Sequence, residues 1–316
     1  MNALYRAVQT SRQALHQYLN RMQVCLQIEA ELLPIVQQLR ANHPTMGCRD
    51  MYFKLQPAGI GRDRFEWFCQ AHGLRSTLAQ RWSKTTDSRG VQPFDNLTEG
   101  LVCTDINQLW QSDITYFEVG ARFHYITFII DAFSRRIVGY AVSRTLKTEQ
   151  TTLIALQRAI RLRGGKRKLR ASSVIMHSDM GGQYYDKQFL ALTGACGMQN
   201  SMCAAAWENG KAERINGVIK NNYLRHWNIN SYAQLERSVD RAVSLYNRDK
   251  PHSALDRRTP VAFEAALTLE RPNTPTVSET RPKAITRTGK GEQPFPGKAK
   301  HTSGSQNAPK GNPKTV

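Results

Sequence analysis

Apolar residues recur at helical spacing near the start of the chain. Between Cys25 and Leu39 they stand three or four residues apart, which is the stripe of an amphipathic helix. Pro34 falls inside this stripe and is expected to bend the helix. The pattern therefore predicts a long helix before residue 40.

Shorter helical segments surround this stripe. Ser11 is typical of a helix N-cap, and Gly73 is typical of a helix end. The predicted segments are 3–8, 11–21, 48–55 and 62–72. The first two have the lengths of a helix-turn-helix, which would place a helix in a DNA groove, but an ordinary helical bundle with a solvated basic face fits equally well. We expect residues 1–85 to be all-α.

The periodicity changes after a polar, unpatterned stretch at 86–104, which is expected to be a linker. Runs rich in Ile, Val, Phe, Tyr and Thr then predict strands. The predicted strands are 109–119, 123–131, 137–142, 173–176 and 197–202, and the predicted helices are 149–162, 187–193, 207–223 and 231–247. Three consecutive strands followed by alternating helices and strands favour an α/β domain, a mixed sheet with flanking helices, over 105–268.

The end of the chain has a different composition. From residue 271 it holds seven of the 13 prolines, and nine Lys or Arg against two acids. Such a segment buries too little apolar surface to offset the entropy of ordering it. Residues 269–316 are expected to be a disordered basic tail.

Charge narrows the class of protein. Lys and Arg total 44 against 25 Asp and Glu, a formal net charge of +19, which suits a polyanionic partner such as nucleic acid or an acidic membrane surface. The apolar runs are too short to span a bilayer, and no signal peptide is expected. The six cysteines form no C-x-x-C pair, which favours reduced thiols. We expect a cytoplasmic protein without a membrane partner.

Three acids in the α/β region carry the candidate chemistry. Asp113 lies in the middle of a predicted strand, Asp179 follows a later strand, and Glu213 leads a predicted helix. A carboxylate within an apolar strand is costly to bury unless something pairs with it. Carboxylates from three such elements can converge on two divalent cations that activate an attacking oxygen and stabilise a leaving oxygen. Each acid alone also fits a helix cap, a turn or a solvated position.

Basic residues near these acids are candidate DNA contacts. Lys220 lies two helical turns beyond Glu213, on the same face. A basic run without an acid is expected to contact the DNA backbone: Arg158, Arg161, Arg163, Lys166, Arg167, Lys168 and Arg170. Solvation alone also explains charges of this kind. His177 either orients Asp179 or is a structural, hydrogen-bonded histidine.

Four ordered strings carry a resemblance to a known family. They are W-Q-S-D-I-T-Y at 110–116, H-S-D-M-G-G-Q-Y at 177–184, W-E-N-G-K-A-E at 207–213 and Y-N-R-D-K-P-H-S-A-L-D-R-R-T-P at 246–260. Together with Gly47-Cys48-Arg49, they resemble the integrase-type Asp-Asp-Glu transposases of the IS-three insertion-sequence family, over roughly residues 1–268.

The resemblance implies an RNase H-like core preceded by a helix-turn-helix DNA-binding region. It implies two Mg²⁺ or Mn²⁺ ions held by Asp113, Asp179 and Glu213. It also implies strand transfer of the element's terminal inverted repeats into target DNA, assembly as a homo-oligomer on paired ends, and association with the bacterial nucleoid. A catalytically inactive, domesticated DNA-binding protein and an RNase H-fold nuclease are the alternatives.

Two departures from the family pattern affect the third acid. Only 33 residues separate Asp179 from Glu213, whereas the family usually has 35, and Glu208 stands where the family usually has Asp. If both glutamates belong to one helix, they lie roughly 140° apart around its axis and cannot share one metal site. The prediction is therefore that Glu213, and not Glu208, is the ligand.

Overall fold

The computed structural model describes residues 11–76, 94–203 and 206–270. The helices are α1 (Arg12–Asn42), α2 (Cys48–Leu55), α3 (Arg62–Ala71), α4 (Thr152–Leu162), α5 (Lys166–Arg170), α6 (Lys187–Ala195), α7 (Gly210–Asn222), α8 (Tyr232–Arg248) and α9 (Pro260–Glu270). The strands are β1 (Leu109–Val119), β2 (Arg122–Asp131), β3 (Ile137–Ser143), β4 (Ile175–Ser178) and β5 (Gln199–Met202). The short helix expected at 3–8, the linker before residue 94 and the tail beyond Glu270 lie outside the described residues.

The five strands form one mixed sheet in the order β3-β2-β1-β4-β5. Strands β1, β2 and β3 pair antiparallel, while β4 and β5 add in parallel to the other edge of β1. The predicted meander and the expected mixed sheet with flanking helices are confirmed. Strand β4 begins two residues later than predicted because Ser173 has a φ of +48°, which a strand residue does not adopt.

Helices cover both faces of the sheet. One core contains Trp110 and Ile129 with the buried side of α4, and the other contains Ile126 and Phe128 with α7 and α8. Strand β2 is buried on both faces from Ile126 to Asp131, which explains why its sequence is apolar at 126–130 except for Thr127. Within the described residues, no helix is both long and apolar enough to cross a membrane.

The N-terminal region is helical, as predicted, but its first part differs from the expectation. A single helix, α1, runs through 12–42, so 11–21 is not a separate helix of a helix-turn-helix. The sequence offers no turn residue there, and Pro34 is accommodated inside α1. Ser11 is the N-cap, because its side chain accepts a hydrogen bond from the amide of Ala14 at 3.0 Å. The predicted pair α2 and α3 packs on α1 around a core that includes Phe65 and Phe68.

Polar contacts join this helical region to the sheet domain. His43 is buried, with Nδ1 3.0 Å from the hydroxyl of Tyr223 and Nε2 2.6 Å from Asp249. The other carboxylate oxygen of Asp249 accepts a hydrogen bond from Lys54. The helical region is therefore fixed to the core through a buried histidine and a shared carboxylate.

Part of the expected linker belongs to the sheet domain. Phe94 packs against the first core, and the amide of Leu97 donates to Ser201 Oγ at 2.9 Å. The amide of Met202 donates to the carbonyl of Asp95 at 3.4 Å. The prediction of a linker was therefore wrong for 94–97, where the backbone finds partners on β5 that local composition does not reveal.

Helix α4 crosses β3 at Gly139, where there is no space for a side chain. A Cβ at Gly139 would lie 2.1 Å from the carbonyl oxygen of Ala155 and 2.9 Å from Ala159 Cβ. We expect Gly139→Ala to reduce the free energy of unfolding by about 1–3 kcal/mol, measured by urea denaturation. Gly194→Ala is the control: it meets nothing within 4 Å in α6 and should stabilise the helix by roughly 0.5–1 kcal/mol. Changes of the same sign in both variants would contradict this packing argument.

Candidate active site

Asp113 projects from the middle of β1 on the side covered by α7. Its Oδ1 accepts a hydrogen bond from the amide of Ile114 at 2.9 Å, and its Oδ2 accepts one from Asn216 Nδ2 at 2.8 Å. Side chains alternate along a strand, so Gln111 and Thr115 share this face. The acid therefore lies on the sheet surface beneath the helix that carries Glu213.

Asp179 lies beside Asp113 because β1 and β4 run parallel. The last residues that pair are Gln111 on β1 and His177 on β4. Asp113 and Asp179 each follow two residues later in the chain. Two residues along a strand returns to the same face, so both acids follow the last pair at equal distance, near the carboxyl end of β4. Asp179 Oδ1 also accepts a hydrogen bond from the amide of Gly181 at 3.1 Å.

Glu213 belongs to a stripe of α7 that faces β1. Asn209, at the N-cap, and then Glu213, Asn216 and Lys220 follow one another at steps of four, three and four residues, which is one helix face. Asn209 donates to the carbonyl of Ser112 at 2.8 Å, and Lys220 donates to Thr115 Oγ1 at 3.1 Å. Since the residues on both sides of Glu213 contact β1 around Asp113, Glu213 lies on the face nearest that acid.

Burial and neighbouring charges raise the pKa of two of the three acids. Burial raises the pKa of Asp113 to about 7, and the charges of Asp179 and Glu213 add to this effect. The pKa of Asp179 is also raised, first by burial and then by the charge of Glu213, against the opposing hydrogen bond from Gly181. Such mutual repulsion is what a bound cation relieves.

The acids do not by themselves form a closed ligand set. Among residues 11–76, 94–203 and 206–270, no group of three His, Cys, Asp or Glu side chains is arranged to hold a metal ion. Glu213 is exposed, so a change of rotamer costs it little packing. The donor chemistry, three neighbouring carboxylates with raised pKa values at two of them, nevertheless suits a hard divalent cation.

His177 lies on β4, two residues before Asp179, and the charge of Glu208 acts on it. His177 is buried, its Nδ1 is 2.9 Å from Ser201 Oγ, and its Nε2 has no hydrogen-bond partner in the described part of the chain. Burial lowers the pKa of His177 to about 4 against the opposing charge of Glu208, so the ring is neutral. Glu208 lies in the 3₁₀ turn Ala206–Asn209 that precedes α7. The two glutamates therefore do not share one helix, and the expected single helix from residue 207 was wrong.

The predicted basic residues fall into three environments. Lys220 and Arg158 are held by aromatic rings, 4.8 Å from the ring centres of Tyr116 and Tyr140 respectively. Arg158 is exposed, and so are five other members of the basic run: Arg161, Lys166, Arg167, Lys168 and Arg170.

Arg163 is the exception, and its expected DNA contact is wrong. Its side chain is 7% exposed and bonds to Glu264 at 2.8 and 2.6 Å and to Asp131 at 3.2 Å. The guanidinium closes a buried ion cluster, so it is not available to a phosphate.

Sequence reasoning also missed residues within the site. Asn209 and Asn216 each hold β1, and their spacing from Glu213 and Lys220 was a usable signal because all four fall on one helical face. Glu264 gave no such signal, since α9 is an unpredicted helix and its partner Arg163 is distant in sequence.

The chain matches two protein families that are both described as integrase core domain, one over residues 104–206 and the other over residues 197–260. It is 30% identical over 240 residues to a transposase assigned to insertion sequence element IS986/IS6110 in Mycobacterium tuberculosis (strain CDC 1551 / Oshkosh), covering 73% of this chain and 85% of that protein. It is 28% identical over 197 residues to the transposase of insertion sequence IS3A in Escherichia coli K12, covering 61% of this chain and 66% of that protein.

Among solved structures, the chain is similar to the catalytic core domain of HTLV-2 integrase in complex with magnesium. The TM-score is 0.41 at 20% sequence identity, covering 50% of this chain and 96% of that domain.

Proposed function

The chain belongs to the integrase-type transposases of the IS-three insertion-sequence family, and on that premise we propose that it cleaves and joins phosphodiesters at insertion-sequence ends. The observation that supports the proposal is that Asp113 and Asp179 lie close enough to Glu213 for its charge to act on both of them. The three acids come from a strand, a strand end and a helix, and two of them have a pKa raised partly by the charge of the others. Perturbed carboxylates of this kind mark functional sites.

Asp113, Asp179 and Glu213 would hold the two divalent cations, Mg²⁺ or Mn²⁺. Such ions, when bound, activate an attacking water or hydroxyl and stabilise the leaving oxygen of a phosphodiester. Asn216 fixes one carboxylate oxygen of Asp113 by its hydrogen bond. Lys220 holds its charge beside Tyr116 at the same surface, where a DNA phosphate would approach.

The partners we propose are the element's terminal inverted repeats and a target DNA. Two ends must be held together for joining, so the working form would be a homo-oligomer on paired ends. The site of action would be the bacterial cytoplasm, at the nucleoid. The surplus of 44 Lys and Arg over 25 Asp and Glu suits such a polyanion.

Incubating the full chain with labelled element ends, target DNA and Mg²⁺ tests the function. We expect two successive products, ends with an exposed 3′-hydroxyl and then joined strands. Nicked ends without joined strands would favour the RNase H-fold nuclease. Binding without either product, in both Mg²⁺ and Mn²⁺, would favour the inactive DNA-binding protein.

Salt dependence tests the exposed basic run. Each phosphate contact removed should reduce the slope of log K against log salt concentration by about 0.9, so Arg167→Gln with Lys168→Gln should reduce it by roughly 1.8. Arg163→Lys is the control: it keeps the charge and loses the paired hydrogen bonds to Glu264, so it should lower the melting temperature without changing the slope. Fluorescence anisotropy from low to high salt measures both. An unchanged slope in the double variant would remove these residues from the DNA interface.

A further inference from the structure

Two hydrogen bonds clamp the turn before α7 to strand β1. Gln111 Nε2 donates to the carbonyl of Glu208 at 3.2 Å. Asn209 Nδ2 donates in the opposite direction, to the carbonyl of Ser112 at 2.8 Å. The strand thus supplies one side chain to the turn, and the turn supplies one side chain to the strand.

The clamp lies where the sheet no longer provides a partner. Pairing between β1 and β4 ends at Gln111, so the carbonyl of Ser112 is one residue beyond the last pair. Asn209 satisfies this buried acceptor, which would otherwise cost free energy. The turn before α7 therefore supplies a hydrogen-bond partner at the position where the pairing with β4 has ended.

Both amides are unusual for residues that serve stability alone. Asn209 is 2% and Gln111 is 4% exposed, yet Asn209 Oδ1 and Gln111 Oε1 have no hydrogen-bond partner in the described residues. A half-satisfied buried amide costs free energy that an apolar side chain of similar size would not. Their presence therefore calls for a role other than packing.

The position of the clamp indicates that role. Gln111 and Ser112 directly precede Asp113, and Asn209 is one helical turn before Glu213 on the same face of α7. Each end of the clamp is thus attached to one of the two carboxylates by a short, regular piece of backbone. Fixing the turn to the strand fixes the distance between Asp113 and Glu213.

We propose that Gln111 and Asn209 are positioning residues that set the separation of Asp113 and Glu213. The inference rests on the proposed function, in which both acids hold divalent cations. The inference also bears on the shortened spacing, since only 33 residues separate Asp179 from Glu213. The hydrogen bonds to β1 would fix the start of α7, whatever the length of the segment that precedes it. Residues that orient metal ligands typically contribute about 10–100-fold to metal affinity, and we expect an effect of this size here.

Asn209→Ala is the principal variant, and Asn247→Ala is its matched control. Asn247 is also a buried amide that bonds strand backbone, donating to the carbonyl of Ile137 at 2.9 Å and accepting from its amide at 3.0 Å, but it lies on α8. Both variants remove a comparable interaction, so both should lower the melting temperature. Only the Asn209 variant removes one that lies between the carboxylates.

The measurement is the Mn²⁺ affinity of the full-length protein without DNA, by electron paramagnetic resonance, beside the half-saturating Mg²⁺ concentration for strand joining. We expect Asn209→Ala to weaken Mn²⁺ binding by about 10–100-fold, with joining partly restored by excess Mn²⁺, and Asn247→Ala to leave the affinity unchanged. Gln111→Met keeps the volume of the side chain, removes its donor and should act like Asn209→Ala. It serves if the alanine variant does not fold.

A double variant tests whether the two bonds act as one clamp. Because they hold the same turn, Gln111→Met with Asn209→Ala should lose less affinity than the product of the single losses. If both single variants bind Mn²⁺ as tightly as the wild type, and the wild type joins strands normally, the positioning role of Gln111 and Asn209 is refuted while the proposed function stands. Absence of joining by the wild type would instead count against the proposed function.

Discussion

Replacing Glu213 by Gln is expected to abolish strand transfer while DNA binding survives. The substitution keeps the shape of the side chain and removes the negative charge that the proposed cation site needs. Losing roughly 4 kcal/mol of transition-state stabilisation corresponds to a rate reduction of about a thousandfold. Neighbours of Glu213 on α7 still contact β1, so the fold should be retained.

Glu208→Gln is the matched variant and is expected to keep substantial activity. Glu208 lies in the turn before α7, and it is His177 and Cys203 that its charge acts on, whereas the charge of Glu213 acts on Asp113 and Asp179. Because Glu208 and Glu213 do not share one helix, it is these different neighbours that distinguish the two glutamates.

Both purified variants should be compared with the wild type in Mg²⁺ and in Mn²⁺. The assay follows joined products from labelled ends, and electrophoretic mobility shift measures DNA binding alongside. An inactive Glu208→Gln beside an active Glu213→Gln would reverse the assignment. The two residues missing from the usual spacing would then belong after the ligand.

Replacing Glu264 by Ala is expected to reduce the free energy of unfolding by about 3–5 kcal/mol. Glu264 accepts hydrogen bonds from Arg163, Arg136 and Ser134 Oγ, and Arg163 is only 7% exposed. Without the glutamate, the buried guanidinium of Arg163 keeps only Asp131, 3.2 Å away, as an acidic partner among the described residues. An unpaired buried charge is among the costliest defects a point mutation creates.

Urea denaturation is the appropriate measurement, since guanidinium chloride would screen the charges. Asp63→Ala is the control because its pair with Arg62 is solvent-exposed and should contribute little to stability. Similar losses in both variants would show that the Glu264 cluster is no stronger than a surface pair.

The same carboxylate has a consequence for acid stability. Burial acts to raise the pKa of Glu264, but the hydrogen bonds and charge of Arg163 outweigh it and hold the pKa below its usual value. A lowered pKa stabilises the fold above the unfolded-state value, near 4.3, and this contribution is lost as the pH falls through the lower folded-state value. We therefore expect the wild type to lose more stability than Glu264→Ala as the pH falls below about 4.

The sequence predicted the parts of the molecule that depend on local pattern. Alternation and β-branched content identified β1, β2 and β3 almost to the residue, because a half-buried or buried strand imposes its own spacing. The motif strings identified Asp113 and Asp179, and the structure places Asp113 on β1 and Asp179 directly after the neighbouring parallel strand β4. That the three acids act as ligands remains a prediction.

Long-range contacts explain what the sequence could not predict. Arg163 was grouped with its basic neighbours because its partner Glu264 lies about a hundred residues further along the chain. Residues 94–97 were predicted to be linker because their polar composition does not reveal their hydrogen-bond partners, which lie about a hundred residues further along the chain, on β5. Local composition describes a residue's neighbours in the chain, and in both cases the decisive neighbour is elsewhere.

The buried cluster around Glu264 also limits where this domain can be joined to part of a relative in a chimeric protein. The second integrase-core match ends at residue 260, four residues before the carboxylate that neutralises Arg163 and Arg136. A chimera spliced at that boundary would inherit two guanidiniums from one parent and their counter-charge, if any, from the other. The exchangeable unit is therefore set by electroneutrality of the interior, and α9 has to travel with the sheet it neutralises.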